Sequence, residues 1–519
     1  MRAFVLVLLL LVPVAAAQVG WPIVRVIERD EFEAFDAASL NLFDFDGDGD
    51  PEIVSSNDNG HVYVIDMRSG RVRADIETTH PDGWEARDIN PVSIGDLYGD
   101  GTPCLVIPNS AAYLAAWCYD GRTVLGGFDF DKRWETRVDA ARWDPGFADA
   151  HPWLADQQPS MDGNAFLADV DGKPGLEIFV ETDGYPGQFS FGHDGEQRWQ
   201  NTFWDGNAGA TVADLDLDGR KEAIFASDAG VISVYDADTG KRKWTFESEK
   251  HGASPGSIPL APMVADIAGD PQLELVFAAR GATSGLDGSH ATWFALAADG
   301  GVLWQRSEAW MNPLAYDHPA PIDVDGDGAL DVVALDWNTI GHKPGNWETT
   351  ARGPSLFALR GTDGRALWHT SVPAYWSNKD FVIVGDDLIV EAPSEGVDGL
   401  GVYDLRTGKP TGWTPLPEGW DATRGPVAAR AHGGIFVVVP LQHADAGPAT
   451  RHLDVGHRQG ALAVVHVDTG GALRWSANFL QSDAAPPPAP RPWFGLVLGV
   501  GAFLVAGGGL LAWRRFAST

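Results

Sequence analysis

Three nine-residue segments place carboxylates at matching positions. Asp44, Asp46, Asp48 and Glu52 form the first set, Asp214, Asp216, Asp218 and Glu222 the second, and Asp323, Asp325, Asp327 and Asp331 the third. In each, acids hold positions 1, 3, 5 and 9, with Gly at 6. Acids at alternate residues of a tight loop converge their oxygens on one point, and Ca²⁺ takes six to eight oxygen ligands. The backbone carbonyls of Asp50, Arg220 and Ala329, at position 7, are expected to complete the shells. Carboxylates brought together without a cation would repel one another, so Ca²⁺ is the expected cofactor. The glycine permits the turn that such a loop needs. Each loop is followed by an apolar run (IVSS, AIFA, VVAL), so it leads into a strand. An EF-hand would continue into a helix after a twelve-residue loop.

The frame recurs in weaker form. Asp96 and Asp100 keep positions 1 and 5 of a loop that ends at Cys104. Asp169, Asp171 and Glu177 keep 1, 3 and 9, but Lys173 stands at 5 and would place an ammonium where an ion would sit. Asp266, Asp270 and Glu274 keep 1, 5 and 9. The six loops begin at 44, 96, 169, 214, 266 and 323. A strand-rich unit repeating every ~45–75 residues is what propeller blades produce.

A second repeat interleaves with the first. VISVYDADTGKRKW (231–244), WFALAADGGVLW (293–304), LFALRGTDGRALW (356–368) and LAVVHVDTGGALRW (462–475) are its clearest copies. Alternating apolar residues on both sides of an Asp/Gly turn make each a β-hairpin. Eight hairpins can be traced, each after a strand pair. The expected fold is all-β, a propeller of eight four-stranded blades, with seven blades and an odd hairpin as the rival count.

The acidic loops resemble the FG-GAP, or VCBS, repeats of integrin-type propellers and of many secreted bacterial proteins. The DxxTGxxxW hairpins, best seen from Asp236 to Trp244, resemble quinoprotein (PQQ-type) blade repeats. Together the two patterns cover most of residues 40–480. The loops at 44, 214 and 323 match the first family at every ligand position, and those at 96, 169 and 266 depart from it.

The ends of the chain bear on location. Residues 1–17 read as a secretory signal peptide: Met1-Arg2, an apolar stretch, then Ala15-Ala16-Ala17 as a cleavage site. Trp493 to Trp513 is a run without charge, long enough to span ~30 Å of hydrocarbon. Arg514-Arg515 opens the basic tail, 514–519, and orients it to the cytoplasm. A Pro-rich linker, 481–492, separates this transmembrane helix from a propeller at 18–480. The expectation is a propeller held outside the cytoplasm, in a periplasm or at a cell surface, by one C-terminal helix. The tail also resembles the anchor-plus-basic sorting tails that bacterial transpeptidases trim.

Of 519 residues, 72 are Asp or Glu and 37 Lys or Arg, a formal charge of −35. That balance argues against a nucleic-acid partner. Only two cysteines occur, Cys104 and Cys118, on neighbouring strands of the second blade. They either pair in an oxidising compartment or remain two separate thiols. No CxxC spacing for zinc and no CxxCH for haem is found.

Propeller topology puts the acidic loops and the hairpin turns on one face, and the long segments on the other. Those segments are 77–90, 131–163, 247–262, 279–290, 305–320, 335–354 and 440–459. They carry Trp84, Trp134, Trp143, Trp153, Trp310, Trp337 and Trp347, together with nine histidines. Long loops of this composition either recognise a ligand or plug the blades. The functional expectation is a calcium-binding ligand-binding or adhesion module, with a polysaccharide or protein partner on the long-loop face. The alternative is a propeller enzyme, a polysaccharide lyase or a quinone-dependent dehydrogenase. No catalytic set can be read linearly; His318, five residues before Asp323 but on the inter-blade loop a blade's height from the ion loop, is a weak candidate base.

Overall fold

A computed structural model describes residues 21–476, apart from 34–39, 79–91, 139–160, 202–208, 280–290, 312–317, 337–341, 348–354, 373–380, 444–458 and shorter breaks. It is an eight-bladed β-propeller. Blades 1 to 6 are four-stranded antiparallel sheets built in chain order, the first from Leu40–Phe43, Glu52–Ser56, His61–Asp66 and Val72–Glu77. Blade 4 comprises Ala210–Ala213, Glu222–Ala226, Val231–Asp236 and Arg242–Glu247.

The burial of the strands follows from their place in the ring. Middle strands lie between two neighbouring sheets, so both faces are covered and the sequence runs apolar without alternation. Glu222–Ala226 is buried at every residue, whereas the outermost strand Arg242–Glu247 is mostly exposed. The core lies between blades. Ile224, Ile232 and Phe246 of blade 4 pack on Leu275, Phe277 and Phe294 of blade 5, with Phe246 and Phe294 rings 5.2 Å apart. Near the axis, polar side chains link successive inner strands. Asn41 donates to the Val92 carbonyl (2.6 Å), Ser93 to Ala165, and Thr211 to Pro262 (2.9 Å).

The hairpin tryptophans make a second set of links. The indole N–H of Trp134, Trp199, Trp244, Trp304 and Trp368 donates to a carbonyl in the hairpin turn of the following blade. The turn glycines Gly195, Gly240, Gly300, Gly364 and Gly408 lie flat on those rings; a Cβ on any of them would fall within 3.0 Å of the indole. Both halves of the DxxTGxxxW pattern are thereby explained: the glycine of one blade receives the tryptophan of the blade before it. Trp134, expected among the long-loop residues, belongs instead to this set. It lies on the fourth strand of blade 2, Phe128–Arg137.

Ring closure differs from the sequence expectation. The segment 462–475 is not a complete hairpin of blade 8. Its first half, within Gln459–Val467, is the third strand, but the outer position is filled by the N-terminal strand Ile23–Glu33. Leu473–Trp475 turns inward and pairs antiparallel with Phe381–Val384, the innermost strand of blade 7. An outer partner that precedes the ring takes the edge that a local hairpin would otherwise use.

Among the described residues no helix is long and apolar enough to cross a membrane. The expected signal peptide, linker, transmembrane segment and tail lie outside the described residues.

Candidate metal loops

All six acidic loops join the first and second strands of their blades, and they share one construction. The position-1 Asp accepts backbone N–H groups from within its loop. Asp44 takes those of Asp48 (3.1 Å) and Gly49 (2.8 Å), and Asp214 those of Asp218 (3.0 Å) and Gly219 (2.9 Å). Asp323 takes Gly326 (2.7 Å) and Gly328 (3.2 Å). Two left-handed residues make this wrapping possible. Position 6 is always Gly in the three full loops; position 4 is Gly47, Gly326 or, in blade 4, Leu217 with φ 57°. The need for a second left-handed residue is legible as Gly at position 4 in two loops, a signal the sequence reading did not use.

In four loops, carboxylate oxygens from three acids lie within 4.8 Å of one another. The sets are Asp44, Asp46 and Asp48; Asp169, Asp171 and Glu177; Asp214, Asp216 and Asp218; and Asp323, Asp325 and Asp331. An all-oxygen set of this kind could hold a hard cation. The degenerate loop of blade 3 is thus brought together like the full ones. The acids at 96 and 100 and at 266, 270 and 274 form no such set. At position 7, Asp50 turns its carboxylate away, to Arg68 (2.6 Å) and to the His432 N–H (2.9 Å). That carboxylate is therefore engaged outside the acid cluster of its loop. Asp327 accepts the Ala329 N–H (2.9 Å) and lies outside the clustered set of its loop.

The position-9 acid has a structural task of its own. Glu52, Glu177, Glu222, Glu274 and Asp331 each accept the N–H of position 2 in their loop, at 2.8–3.1 Å. They close the loop neck and are all buried. Burial raises the pKa of each, and that of Glu52 is pushed up to about 8. Blade 2 has Cys104 at this position. It forms a disulfide with Cys118, directly across the strand pair.

Of the basic side chains at the loops, the sequence reading found only Lys173 and missed the others. The second oxygen of the position-3 Asp is held by Arg122 at Asp46, Lys173 at Asp171 (2.7 Å), Lys243 at Asp216 (3.2 Å) and Arg360 at Asp325 (3.1 Å). Lys243 also reaches Glu222 (2.6 Å), as Arg198 reaches Glu177 (2.6 Å). Lys243 and Arg198 each precede the hairpin tryptophan. In blade 4, Val234 pairs with Trp244 and Tyr235 with Arg242, so Lys243 is the extra residue of a β-bulge. Arg198 is bulged in the same way. A bulge re-aims one side chain, and here it aims a cation at the acidic loop. These contacts also confirm that loops and hairpin turns share a face.

Few of the expected long-loop residues are described, and those are packed. Trp310 stacks on His369 (4.6 Å) and His251 on Phe246 (4.7 Å). His318 is half-buried, at the opposite end of the strand Ala320–Ile322 from the acidic loop. Trp84, Trp143, Trp153 and Trp337 lie outside the described residues.

Comparison with known proteins agrees with this architecture. Residues 44–107 match the model of the FG-GAP-like repeat, and 134–309 match that of outer membrane protein assembly factor BamB. No curated protein matches the chain. Among solved structures, BamB from Moraxella catarrhalis superposes with a TM-score of 0.50 at 14% identity, over 85% of this chain and 100% of that one. The V. cholerae biofilm matrix protein Bap1 gives 0.50 at 12% identity, over 86% and 90%. Saccharomyces cerevisiae Sqt1 gives 0.55 at 9% identity, over 85% and 98%. At these identities the likeness is one of fold.

Proposed function

We propose that this protein is a calcium-stabilised β-propeller, exported and membrane-anchored, that acts as a ligand-binding or adhesion module. The observation carrying the calcium reading is the convergence of three carboxylates in each of four loops. Asp44, Asp46 and Asp48, with their counterparts in blades 3, 4 and 6, would hold the ion. Ca²⁺ suits them because the donors are all hard oxygens on a flexible loop. The bound ion would neutralise the converging acids and fix the turn between two inner strands. Signal peptide 1–17 and the span 493–513 would place the propeller outside the cytoplasm. The partner we favour is a polysaccharide or protein. The hairpin tryptophans resemble those of quinoproteins, but they are engaged in joining blades and so support the fold alone.

Calorimetric titration of the metal-free protein with Ca²⁺ tests the metal reading. Heat of binding that falls by one site's share in Asp214→Asn, and again in Asp323→Asn, supports it. A titration without heat, or one unchanged by both substitutions, overturns it. A glycan array probed with the protein, with and without Ca²⁺, addresses the ligand. Binding to a defined glycan supports recognition of a polysaccharide, and its absence leaves the protein partner.

A further inference from the structure

The C-terminal strand lies on the inner edge of blade 7 and runs in a fixed direction. The third strand of blade 8 ends on the acidic-loop face, where Val467 pairs with Ile435 beside the turn at His432-Gly433. The chain then moves to the inner edge of blade 7, where the Ala472 carbonyl accepts the Gly385 N–H (2.7 Å). Gly385 and Asp386 form the blade 7 turn on the acidic-loop face, and Arg474 lies 3.5 Å from Asp386. Phe381–Val384 runs towards that face. Leu473–Trp475, antiparallel to it, therefore runs away. Trp475 is buried with residues of blades 6 and 7, and the Ser476 hydroxyl accepts the Ala428 N–H of blade 8 (2.9 Å). Ala428 stands four residues before its own turn, so Ser476 is ~13 Å below the acidic-loop face at ~3.3 Å per strand residue.

We infer that the chain leaves the ring through the long-loop face, that this face lies towards the bilayer, and that the acidic-loop face points outward. The inference rests on the proposed anchor at 493–513. Two further features agree with it. The outward face carries the acidic loops of six blades, which an anionic lipid surface would repel. It also carries the turn of the blade 2 hairpin, whose strands Tyr113–Arg122 and Phe128–Arg137 are ten residues each. Its tip residues Val124 and Leu125 are 105% and 84% exposed. The tip is held by Arg71 and Arg73, which donate to the Leu125 and Gly126 carbonyls (both 2.7 Å). In this orientation, a partner met by the long-loop face sits at the same bilayer, and a polymer arriving from outside meets the acidic loops and this tip first.

The test uses the full chain in phosphatidylcholine vesicles that carry an acceptor-labelled lipid. Donor fluorophores are placed at Val124→Cys, on the acidic-loop face, and at Val397→Cys, in the blade 7 connection on the other face. Both positions are exposed, and Cys104 and Cys118 are buried in their disulfide. Several-fold stronger transfer from position 397 than from 124 is expected. Equal transfer, or the reverse order, overturns the orientation while leaving the anchor intact. Failure of the protein to float with the vesicles overturns the anchor, and the inference with it. Crosslinking of Ala428→Cys to Ser476→Cys in the floated protein checks the threading itself. Absence of that crosslink, with both single variants folded, overturns this threading of the C-terminal strand.

Discussion

Gly240→Ala is a sharp probe of how the ring is joined. Gly240 has φ 68°, and a Cβ there would lie 2.6 Å from Cγ of Trp199. Placing an L side chain in the left-handed region costs about 1–2 kcal/mol. Forcing the buried indole aside adds about 1–3 kcal/mol. The variant should therefore lose about 2–5 kcal/mol. Gly252→Ala is the control, because φ is 83° but nothing lies within 4 Å of the added carbon. It should lose only about 1–2 kcal/mol. The decisive measurement is a double-mutant cycle, read as urea-unfolding midpoints by far-UV circular dichroism. Trp199→Ala alone should cost about 3–5 kcal/mol, since the indole is buried against Phe179, Phe225 and Tyr235. In that background, Gly240→Ala should cost no more than the control, a coupling of about 1–3 kcal/mol. If the glycine change costs the same with and without Trp199, the indole is not what constrains that turn, and the account of the hairpin repeat is wrong.

Three other perturbations follow from the loops. Glu52 has a folded pKa of about 8 against an ordinary 4.5, so the metal-free protein should lose stability as pH rises from 4.5 towards 8, where only the unfolded chain is ionised. Glu52→Gln should flatten that decline in chelator yet lower the melting temperature in Ca²⁺; an equally steep decline in the variant would refute the first half. Leu217→Gly should stabilise by about 0.5–1 kcal/mol, because relief of the left-handed backbone, about 1–2 kcal/mol, exceeds the entropy cost of glycine; thermal melts in chelator check it. Replacing both Cys104 and Cys118 by Ala should cost on the order of 3 kcal/mol by the chain-entropy account, measurable as a lowered urea midpoint.

The repeat and the ligand positions were legible because they are local. Carboxylates at alternate residues can only converge within their own loop, and a DxxTGxxxW hairpin pairs with itself. The blade count was legible for the same reason. What escaped the sequence depends on distant partners. The stretch DTGGALRW (468–475) has the same local grammar as DTGKRKW (238–244), yet its last strand goes inward because Ile23–Glu33 holds the outer edge. The role of Lys243 needed the bulge register, which no spacing rule on one strand reveals. The task of Glu52 and its counterparts was hidden by its agreement with the metal reading. A carboxylate that accepts the position-2 N–H and one that waits for an ion look alike in sequence.

That double duty bears on how calcium would act. In every clustered loop the position-3 carboxylate already holds a Lys or Arg, so the metal-free ring is not left with bare repulsion. A cation arriving there replaces a protein cation rather than filling an uncompensated hole, and the stabilisation it brings is the difference between the two. In blades 3, 4 and 6 the displaced group belongs to the same blade. In blade 1 it is Arg122, from the hairpin of blade 2. Calcium at the first loop therefore competes with a contact between blades, whereas at the other three it competes with contacts inside one. Removing Arg122 separates the two cases. Arg122→Gln should tighten Ca²⁺ binding at the first loop while loosening the blade 1–blade 2 seam. Hydrogen exchange at Phe128–Arg137 in chelator reads the second effect. Unchanged exchange there would mean that the aromatic cluster of Phe43, Phe45, Tyr119, Phe128 and Phe130 holds that seam without the guanidinium.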